Sequence, residues 1–129
     1  MVVSPAIETL LSSGRASAHL ATSHNDRPHV APVWYVYADS KLYLMTGGRK
    51  LRNMKENPRV AVSIENTREN YWAICILGSA RIVTDREKVG EIRRKLNEKY
   101  TTAETDGGES SYEYRLVEIE IGSATRAGG

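Results

Sequence analysis

Apolar and polar residues alternate along most of this chain, and the alternation predicts a protein built mainly from β-strands. In residues 59–65, Val60, Val62 and Ile64 occupy every second position, which is the period of a strand with one buried face. Similar runs separated by turn-forming residues predict six strands in total. These strands are expected at 16–23, 29–38, 41–46, 59–65, 71–83 and 112–121.

Three other segments have the signals of short helices. Ser4 is an N-cap followed by a proline, and Gly14 is a C-terminal stop for the first helix. A basic helix is expected at 49–57, between a double glycine and a proline. The capping box 84–87, Thr-Asp-Arg-Glu, opens a third helix that runs to about Tyr100, and a polar loop is expected at 101–111.

The order is helix, three strands, helix, two strands, helix, strand, which predicts a mainly β (α+β) fold. Sequential antiparallel connections favour a small closed or nearly closed six-stranded barrel with short flanking helices. An open α+β sheet fits the same order, and periodicity does not separate the two. Residues 1–129 show no repeat and no second domain, and their length suits a single domain.

The composition disfavours several classes of function. Charged residues make up 26% of the chain and the net charge is only +2, so charge gives no indication of a nucleic-acid partner. The longest apolar run, residues 72–77, is far too short to cross a membrane, and the N-terminus lacks the features of a signal peptide. We therefore expect a cytoplasmic protein with neither a membrane nor a nucleic-acid partner.

Neither cysteine nor metal chemistry is indicated. Cys75 is the only cysteine and lies in an apolar run, so we expect a buried, unreactive thiol. His19, His24 and His29 lie on the first predicted hairpin, but no carboxylate or thiol stands at ligand spacing, and no metal site is predicted. Walker A, G-x-G-x-x-G and nucleophile-elbow motifs are absent, so no catalytic side chain is assigned.

The most informative stretch is 41–62, where an alternating strand runs through a double glycine into the basic helix. This order places Thr46, two glycine amides, Arg49 and Lys50 together at a helix N-terminus. Free N–H groups and adjacent cations suit a phosphate, which arginine binds bidentately and lysine as a point charge. A solvated strand–turn–helix is the alternative interpretation.

The strand predicted at 29–38 contains Pro32, which cannot donate a ladder hydrogen bond. That residue indicates an edge, a bulge or an opening in the sheet. The strand precedes 41–46 by one hairpin, so we expect the two strands to be neighbours. An outward-facing backbone beside a phosphate site would offer polar groups to a flat heteroaromatic ring, as in a flavin phosphate. A plain edge strand is the alternative.

Together these features resemble the FMN-binding split barrel of the pyridoxamine 5′-phosphate oxidase-like flavoproteins. The resemblance covers about residues 5–121 and is strongest in five segments that occur in order: 27–34, 42–46, 49–53, 57–60 and 78–81. It implies a single FMN-binding split-barrel domain that passes hydride between bound flavin and a small-molecule substrate or electron donor. Sites in this family form across a dimer, so a homodimer is implied as well.

The resemblance also implies which residues bind FMN. The strand that lines the isoalloxazine ring, largely through backbone groups, corresponds to Val30, Ala31, Pro32, Val33 and Trp34. Met45 and Thr46 match the pair beside the ring and the ribityl chain, and Arg49 and Lys50 match the basic pair on the phosphate. Asn53 belongs to the same set, and Trp72 matches a position from which the second subunit contacts the flavin.

One departure from the family pattern and the cofactor of one relative open alternatives. The chain ends Ile-Gly-Ser-Ala-Thr-Arg-Ala-Gly-Gly and lacks the C-terminal arginine-histidine segment with which pyridoxamine-phosphate oxidases hold their substrate, so vitamin B6 oxidation is not expected. A relative in the superfamily uses the deazaflavin F420, and Arg52, Lys55 and Arg59 would suit either ligand. An F420-dependent reductase and a non-catalytic flavin-binding or carrier protein are therefore the alternatives.

Overall fold

The structure, a computed structural model, describes residues 3–12, 16–66, 71–100 and 114–128. Within these ranges the chain forms three helices and seven strands. In chain order they are α1 (Pro5–Ser12), β1 (Ser17–His24), β2 (Arg27–Val33), β3 (Val36–Ala38), β4 (Lys41–Thr46), α2 (Gly48–Glu56), β5 (Arg59–Asn66), β6 (Trp72–Val83), α3 (Arg86–Lys99) and β7 (Arg115–Gly128). In this part of the chain, none of the helices has the length and apolar character needed to span a membrane.

All seven strands form one antiparallel sheet in the order β2-β1-β5-β6-β7-β4-β3. The two edge strands, β2 and β3, are consecutive in the chain and are joined only by Trp34 and Tyr35. Three Cα–Cα steps separate Val33 from Val36, so the two strand ends lie within about 11 Å of each other. The sheet therefore curls until its edges approach without pairing, which confirms the split barrel that the sequence predicts.

Alternate residues of the strands fill the interior of the barrel, and the helices cover it. On β4, Leu42 and Leu44 belong to the interior cluster, whereas Tyr43 faces outward. Helix α2 contributes Leu51 and Met54 to the interior cluster. Helix α3 packs on the outer face of the sheet through a second buried cluster, formed by Val36, Tyr43, Val83, Ile92, Leu96, Tyr100 and Leu116.

The described residues contain seven strands, whereas the sequence pattern predicts six. The segment predicted as one strand at 29–38 is two strands, because the chain leaves one sheet edge after Val33 and joins the other at Val36. Consequently only β3 pairs with β4, while β2 pairs with β1. Pro32 lies in an edge strand, as its missing N–H group requires.

Strand β7 is longer than the predicted strand at 112–121, whose first two residues lie outside the described ranges. It continues to Gly128, and its second half pairs with the first half of β6. The register shifts between Leu77 and Gly78, so that Gly122 is passed over in the pairing. A Cβ at Gly78 would lie 2.5 Å from the carbonyl oxygen of Glu120, so this close approach of backbones requires glycine.

The predicted helix starts are correct to within one residue. Ser4 caps α1, since its Oγ accepts the N–H of Ile7 over 3.2 Å. Helix α2 spans Gly48–Glu56 rather than 49–57. The N-cap of α3 is Asp85 rather than the residue before it, and its carboxylate accepts the N–H of Glu87 over 3.2 Å. The predicted stop at Gly14 and the predicted loop at 101–111 lie outside the described residues.

Candidate functional site

Helix α2 is attached to β1 by two side-chain hydrogen bonds. Asn53 donates from Nδ2 to Oγ1 of Thr22 over 3.0 Å, and both side chains are buried. Asn57, the C-cap of α2, donates from Nδ2 to Oγ of Ser23 over 3.3 Å. These bonds, together with the apolar contacts in the barrel interior, fix the helix relative to the β1–β2 hairpin.

The N-terminus of α2 is reached through Thr46, Gly47 and Gly48. Gly48 has φ +64°, in the left-handed region where glycine carries no steric penalty. Gly47 is the N-cap and has no side chain with which to bond the first-turn amides, and the first turn contains no acidic residue. Arg49 is exposed and Lys50 half-buried beside these amides. This combination of uncapped amides and adjacent cations is suited to binding an anion.

Two buried side-chain atoms near α2 have no hydrogen-bond partner within the described ranges. They are Oγ1 of Thr46, at the end of β4, and Nδ1 of His29, in β2. His29 is the register partner of Thr22, the residue that accepts the hydrogen bond from Asn53. Because buried polar atoms are normally paired, these two atoms are candidates for contact with a bound molecule.

His29 is a site candidate that the sequence reasoning did not select. Its neighbours in β2 alternate between an exposed face and a half-buried face, and His29 lies on the half-buried one. The signal available in the sequence was this alternation, because it places His29 on the same face as Ala31 and Val33. Without that alternation, the three hairpin histidines suggest only a metal site, which their spacing from other ligands does not support. No group of three or more possible metal-ligating side chains occurs among the described residues.

The predicted ring-lining residues of β2 lie on both faces of an edge strand. Val30 and Pro32 face outward, and Val30 is 63% exposed, whereas Ala31 and Val33 are half-buried. Because β1 is the only strand that pairs with β2 in the described sheet, the other edge of β2 has no strand against it. The backbone along that edge is therefore accessible, as the interpretation of Pro32 requires.

Trp34 belongs to the crossover between β2 and β3 rather than to the strand. Its ring stacks on that of Tyr100, with centroids 4.6 Å apart and planes 3° from parallel. The side chain is nevertheless 45% exposed, so the indole packs on Tyr100 and is also accessible to solvent. An aromatic ring held in this way offers a flat surface to a ligand.

Met45 and Trp72 are not brought together with the other predicted residues. Met45 packs against the cluster beneath α3, on the opposite face of β4 from Thr46. Trp72 is buried in the barrel core at 6% exposure, while Tyr71, one residue earlier, is 49% exposed. Contact of Trp72 with a flavin in a second subunit stays a prediction. The structure brings Thr46, Arg49, Lys50 and Asn53 together at α2, one strand away from β2.

An exposed apolar row crosses the outer face of four neighbouring strands. Val30, Ala21, Ala61 and Leu77 are successive register partners on β2, β1, β5 and β6, so their side chains share one face. Val30 at the start of the row is 63% exposed and Leu77 at its end is 55% exposed. The row leads from the predicted ring-lining strand to the middle of the sheet.

Cys75 also lies on this outer face, and its thiol is exposed. The expectation of a buried thiol is therefore wrong. Residues 72–77 are almost uniformly apolar, so the sequence does not reveal which alternate set faces inward. In the fold Trp72, Ile74 and Ile76 take the interior positions, which turns Cys75 and Leu77 outward.

Two cavities lie away from the predicted site. One, of about 380 Å³, is lined by residues of β4, β6, β7 and the start of α3, and the other, of about 310 Å³, lies at the C-terminal end of α2. None of the residues predicted to bind cofactor lines either cavity. The predicted site therefore lies outside both of these cavities.

The larger cavity contains a buried carboxylate that is already paired. Oε1 of Glu118 accepts hydrogen bonds from Arg81 and from the hydroxyl of Tyr43, each over 3.1 Å, and Nζ of Lys41 lies 3.7 Å from Oε2. Burial acts to raise the pKa of Glu118, but the hydrogen bonds and cations outweigh burial and lower that pKa. Glu118 is consequently ionised at neutral pH and serves to join three strands, not to exchange protons.

The curled antiparallel sheet with α2 attached at the β1–β2 hairpin defines the class of split-barrel proteins. Within that class the chain belongs to the pyridoxamine 5′-phosphate oxidase family, whose sequence model matches residues 3–125. No curated protein matches the sequence significantly. The resemblance drawn from the five sequence segments is therefore confirmed for the family and the fold.

Solved structures extend this comparison. A protein of Mycobacterium tuberculosis described as a conserved hypothetical protein is 25% identical, with a TM-score of 0.78 over 99% of this chain and 86% of that chain. An F420 reductase is also 25% identical, with a TM-score of 0.74 over 92% of this chain and 94% of that chain. A FAD-binding protein from Mesorhizobium loti is 21% identical, with a TM-score of 0.75 over 92% of this chain and 89% of that chain. At this identity the similarity shows a shared fold and nothing more.

Proposed function

We propose that this protein binds FMN and acts as an oxidoreductase, with the phosphate at the N-terminus of α2 and the ring along the edge of β2. The observation that carries the proposal is the buried Oγ1 of Thr46, which has no hydrogen-bond partner among the described residues and lies at the turn into a basic helix. The hydroxyl, the uncapped amides after Gly47, and the cations of Arg49 and Lys50 form a donor set that fits a phosphate. The comparison with family members agrees with a ligand of this kind.

The ring side of the proposed site rests on β2 and on the crossover. Along the unpaired edge of β2, alternate residues within 30–34 would offer backbone polar groups to a flavin ring, and Pro32, which has no N–H group, would offer only a carbonyl. The second unpaired atom, Nδ1 of His29, lies in the same strand. Trp34, supported by Tyr100, adds a flat apolar surface next to that edge. Bound FMN would supply the hydride chemistry, while these residues bind and orient it.

An F420-dependent reductase is the second candidate function, and one observation favours it. The F420 reductase to which this chain is similar is covered over 94% of its length at 25% identity. Arg52, Lys55 and Arg59 are exposed on and after α2, where the longer tail of F420 would find additional cations. The visible spectrum of freshly purified protein distinguishes the two cofactors, since an oxidised flavin has two bands and a deazaflavin has one.

We also propose that the working form is a homodimer. Val30 and Leu77, at the two ends of the row, are exposed beside the proposed site, and Tyr71, the residue before β6, is exposed as well. Exposed apolar surface of this kind is typical of the core of an interface. A second copy seated on this face would enclose a cofactor that one chain leaves open to solvent.

The phosphate assignment is tested by comparing FMN with riboflavin, which lacks the phosphate. Arg49→Ala or Lys50→Ala removes a charge-assisted contact worth about 1.5–3 kcal/mol, so FMN affinity should fall about ten- to a hundredfold. Riboflavin affinity should change little, and Arg93→Ala, an exposed cation on α3, should affect neither ligand. Equal losses for FMN and riboflavin would contradict the assignment. Bleaching of the bound flavin by NADH or NADPH would separate an enzyme from a carrier.

A further inference from the structure

The crossover between the two sheet edges is held by the ends of two helices. The N–H group of Tyr35 donates to the hydroxyl of Tyr100 over 3.3 Å, and its carbonyl accepts from Nζ of Lys99 over 3.1 Å. The hydroxyl of Tyr35 donates to the carbonyl of Leu11, the next-to-last residue of α1, over 3.0 Å. Tyr35 is fully buried, so every polar group it has in this fold is bonded inside the protein.

Aromatic contacts strengthen the same attachment. The ring of Trp34 stacks on Tyr100, and Nζ of Lys99 lies 3.4 Å from the ring centroid of Tyr35. Burial lowers the pKa of Lys99 to about 8, while the ring beneath it favours the charged form. In either state the amine retains an N–H group for the carbonyl of Tyr35. Tyr100 thus contacts both residues of the crossover, and Lys99 contacts Tyr35.

The crossover in turn constrains the C-terminal end of β2. Within the described sheet β2 pairs with β1 alone, from Arg27 to Val33, and the next contacts along the chain are those of Trp34 and Tyr35. A substitution at the end of α3 would therefore shift the positions of Trp34 and of the β2 edge. Interior strands such as β1 and β5, by contrast, pair with a neighbouring strand on both sides.

We propose that Lys99 and Tyr100 are positioning residues for the cofactor site: the end of α3 sets the geometry of Trp34 and of the β2 edge to which the flavin ring binds. The inference rests on the proposed function, because it assigns these residues to a site along β2. Neither residue need touch the cofactor. Their role is exerted through Trp34 and Tyr35.

Four variants test the proposal in the full chain. Tyr100→Leu removes both the stacking surface and the hydroxyl, whereas Tyr100→Phe keeps the ring. Lys99→Met keeps the apolar stem of the side chain and removes the amine. Lys95→Met is the matched control, since Lys95 is an exposed lysine one turn earlier on the same helix. FMN affinity should fall about tenfold in Tyr100→Leu and recover at least about threefold in Tyr100→Phe.

Amide hydrogen exchange supplies a readout that does not depend on flavin. In Tyr100→Leu and Lys99→Met, exchange of the amides at residues 33–38 should accelerate, while exchange in β5 and β6 stays as in the unmodified protein. Uniform acceleration, or none at residues 33–38, would overturn the proposal. Faster exchange at residues 33–38 with no change in FMN affinity would also overturn the proposal, provided that the unmodified protein binds FMN. If the unmodified protein binds no flavin, the proposed function fails, and the cofactor role of Lys99 and Tyr100 falls with it.

Discussion

The hydrogen bond between Asn53 and Thr22 attaches the proposed phosphate-binding helix to the barrel, and its removal should lower stability measurably. Both side chains are buried, at 9% and 3% exposure, and the donor–acceptor distance is 3.0 Å. Asn53→Ala leaves the hydroxyl of Thr22 without its donor in a buried position. Thr22→Val, which preserves the shape of the side chain, leaves the amide of Asn53 without its acceptor.

The expected magnitudes follow from the desolvation of the group left behind. A buried polar group that loses its partner destabilises a protein by about 1–3 kcal/mol, so each single substitution should lower the free energy of unfolding by that amount. The double variant removes both groups, and its loss should be smaller than the sum of the single losses by about 1–2 kcal/mol. In a domain of this size each kcal/mol corresponds to roughly 3–5 °C in Tm.

Urea unfolding of the flavin-free protein, at one fixed protein concentration, measures these free energies. Arg52→Ala, an exposed position on the same helix, is the control and should stay within about 0.5 kcal/mol of the unmodified protein. Additive losses in the double variant would refute the coupling between Asn53 and Thr22. FMN affinity then separates two roles of Asn53. If Asn53 acts by positioning α2, Asn53→Ala and Thr22→Val should lower the affinity for FMN by similar factors. If Asn53 contacts FMN directly, only Asn53→Ala should lower that affinity strongly.

Three further outcomes are expected. The FMN-loaded protein should not oxidise pyridoxamine 5′-phosphate at about one turnover per second, because the phosphate of FMN would already occupy the basic residues proposed to bind it. Oxygen-dependent formation of pyridoxal phosphate at that rate would contradict this expectation. Leu77→Arg should shift the sedimentation mass from about twice 14.4 kDa toward a single chain, and an intact dimer would exclude this face as the interface. The pKa of Glu118 is lowered in the folded state, so its stabilising contribution is complete above the ordinary carboxyl pKa and lost as pH falls through the folded value. The stability difference between the unmodified protein and Glu118→Gln should therefore shrink on acidification, and a constant difference would argue against this pairing.

Local sequence signals determined two strands that lie between turn or breaker residues, and in the second of them burial alternates. The predicted segments 41–46 and 59–65 match Lys41–Thr46 and Arg59–Asn66 almost residue for residue. The second half of β7 has no such alternation, because its small and polar residues are held by pairing with β6. The break at Trp34 and Tyr35 is likewise a consequence of sheet topology, since two edges of one curled sheet must be joined there. Neither feature is contained in a short window of sequence.

The same division applies to the site. The turn from Thr46 to Lys50 was predictable because the strand, the glycines and the cations are consecutive in the chain. The partners that arrange this region come from distant segments: Thr22 for α2, and Lys99 and Tyr100 for the crossover. A single sequence gives no signal for contacts of this kind. A uniformly apolar strand such as β6 also conceals which residues face inward, and this is why the exposure of Cys75 was not foreseen.

If the apolar row is the interface of the proposed dimer, its placement predicts that dimer formation and cofactor binding depend on each other. Burying a valine or leucine side chain contributes about 1.5–3 kcal/mol when it is complete, and Val30 and Leu77 are each a little more than half exposed. In a two-fold interface each residue counts twice, so these two positions alone would provide several kcal/mol. Val30 is also one of the residues proposed to line the flavin ring. A ligand that binds the dimer and not the monomer must stabilise the dimer by mass action, so FMN should bind more weakly when the protein is diluted below its dimerisation constant. Titrations at decreasing protein concentration measure this directly, and an FMN affinity independent of concentration across the dissociation range would separate the site from the interface.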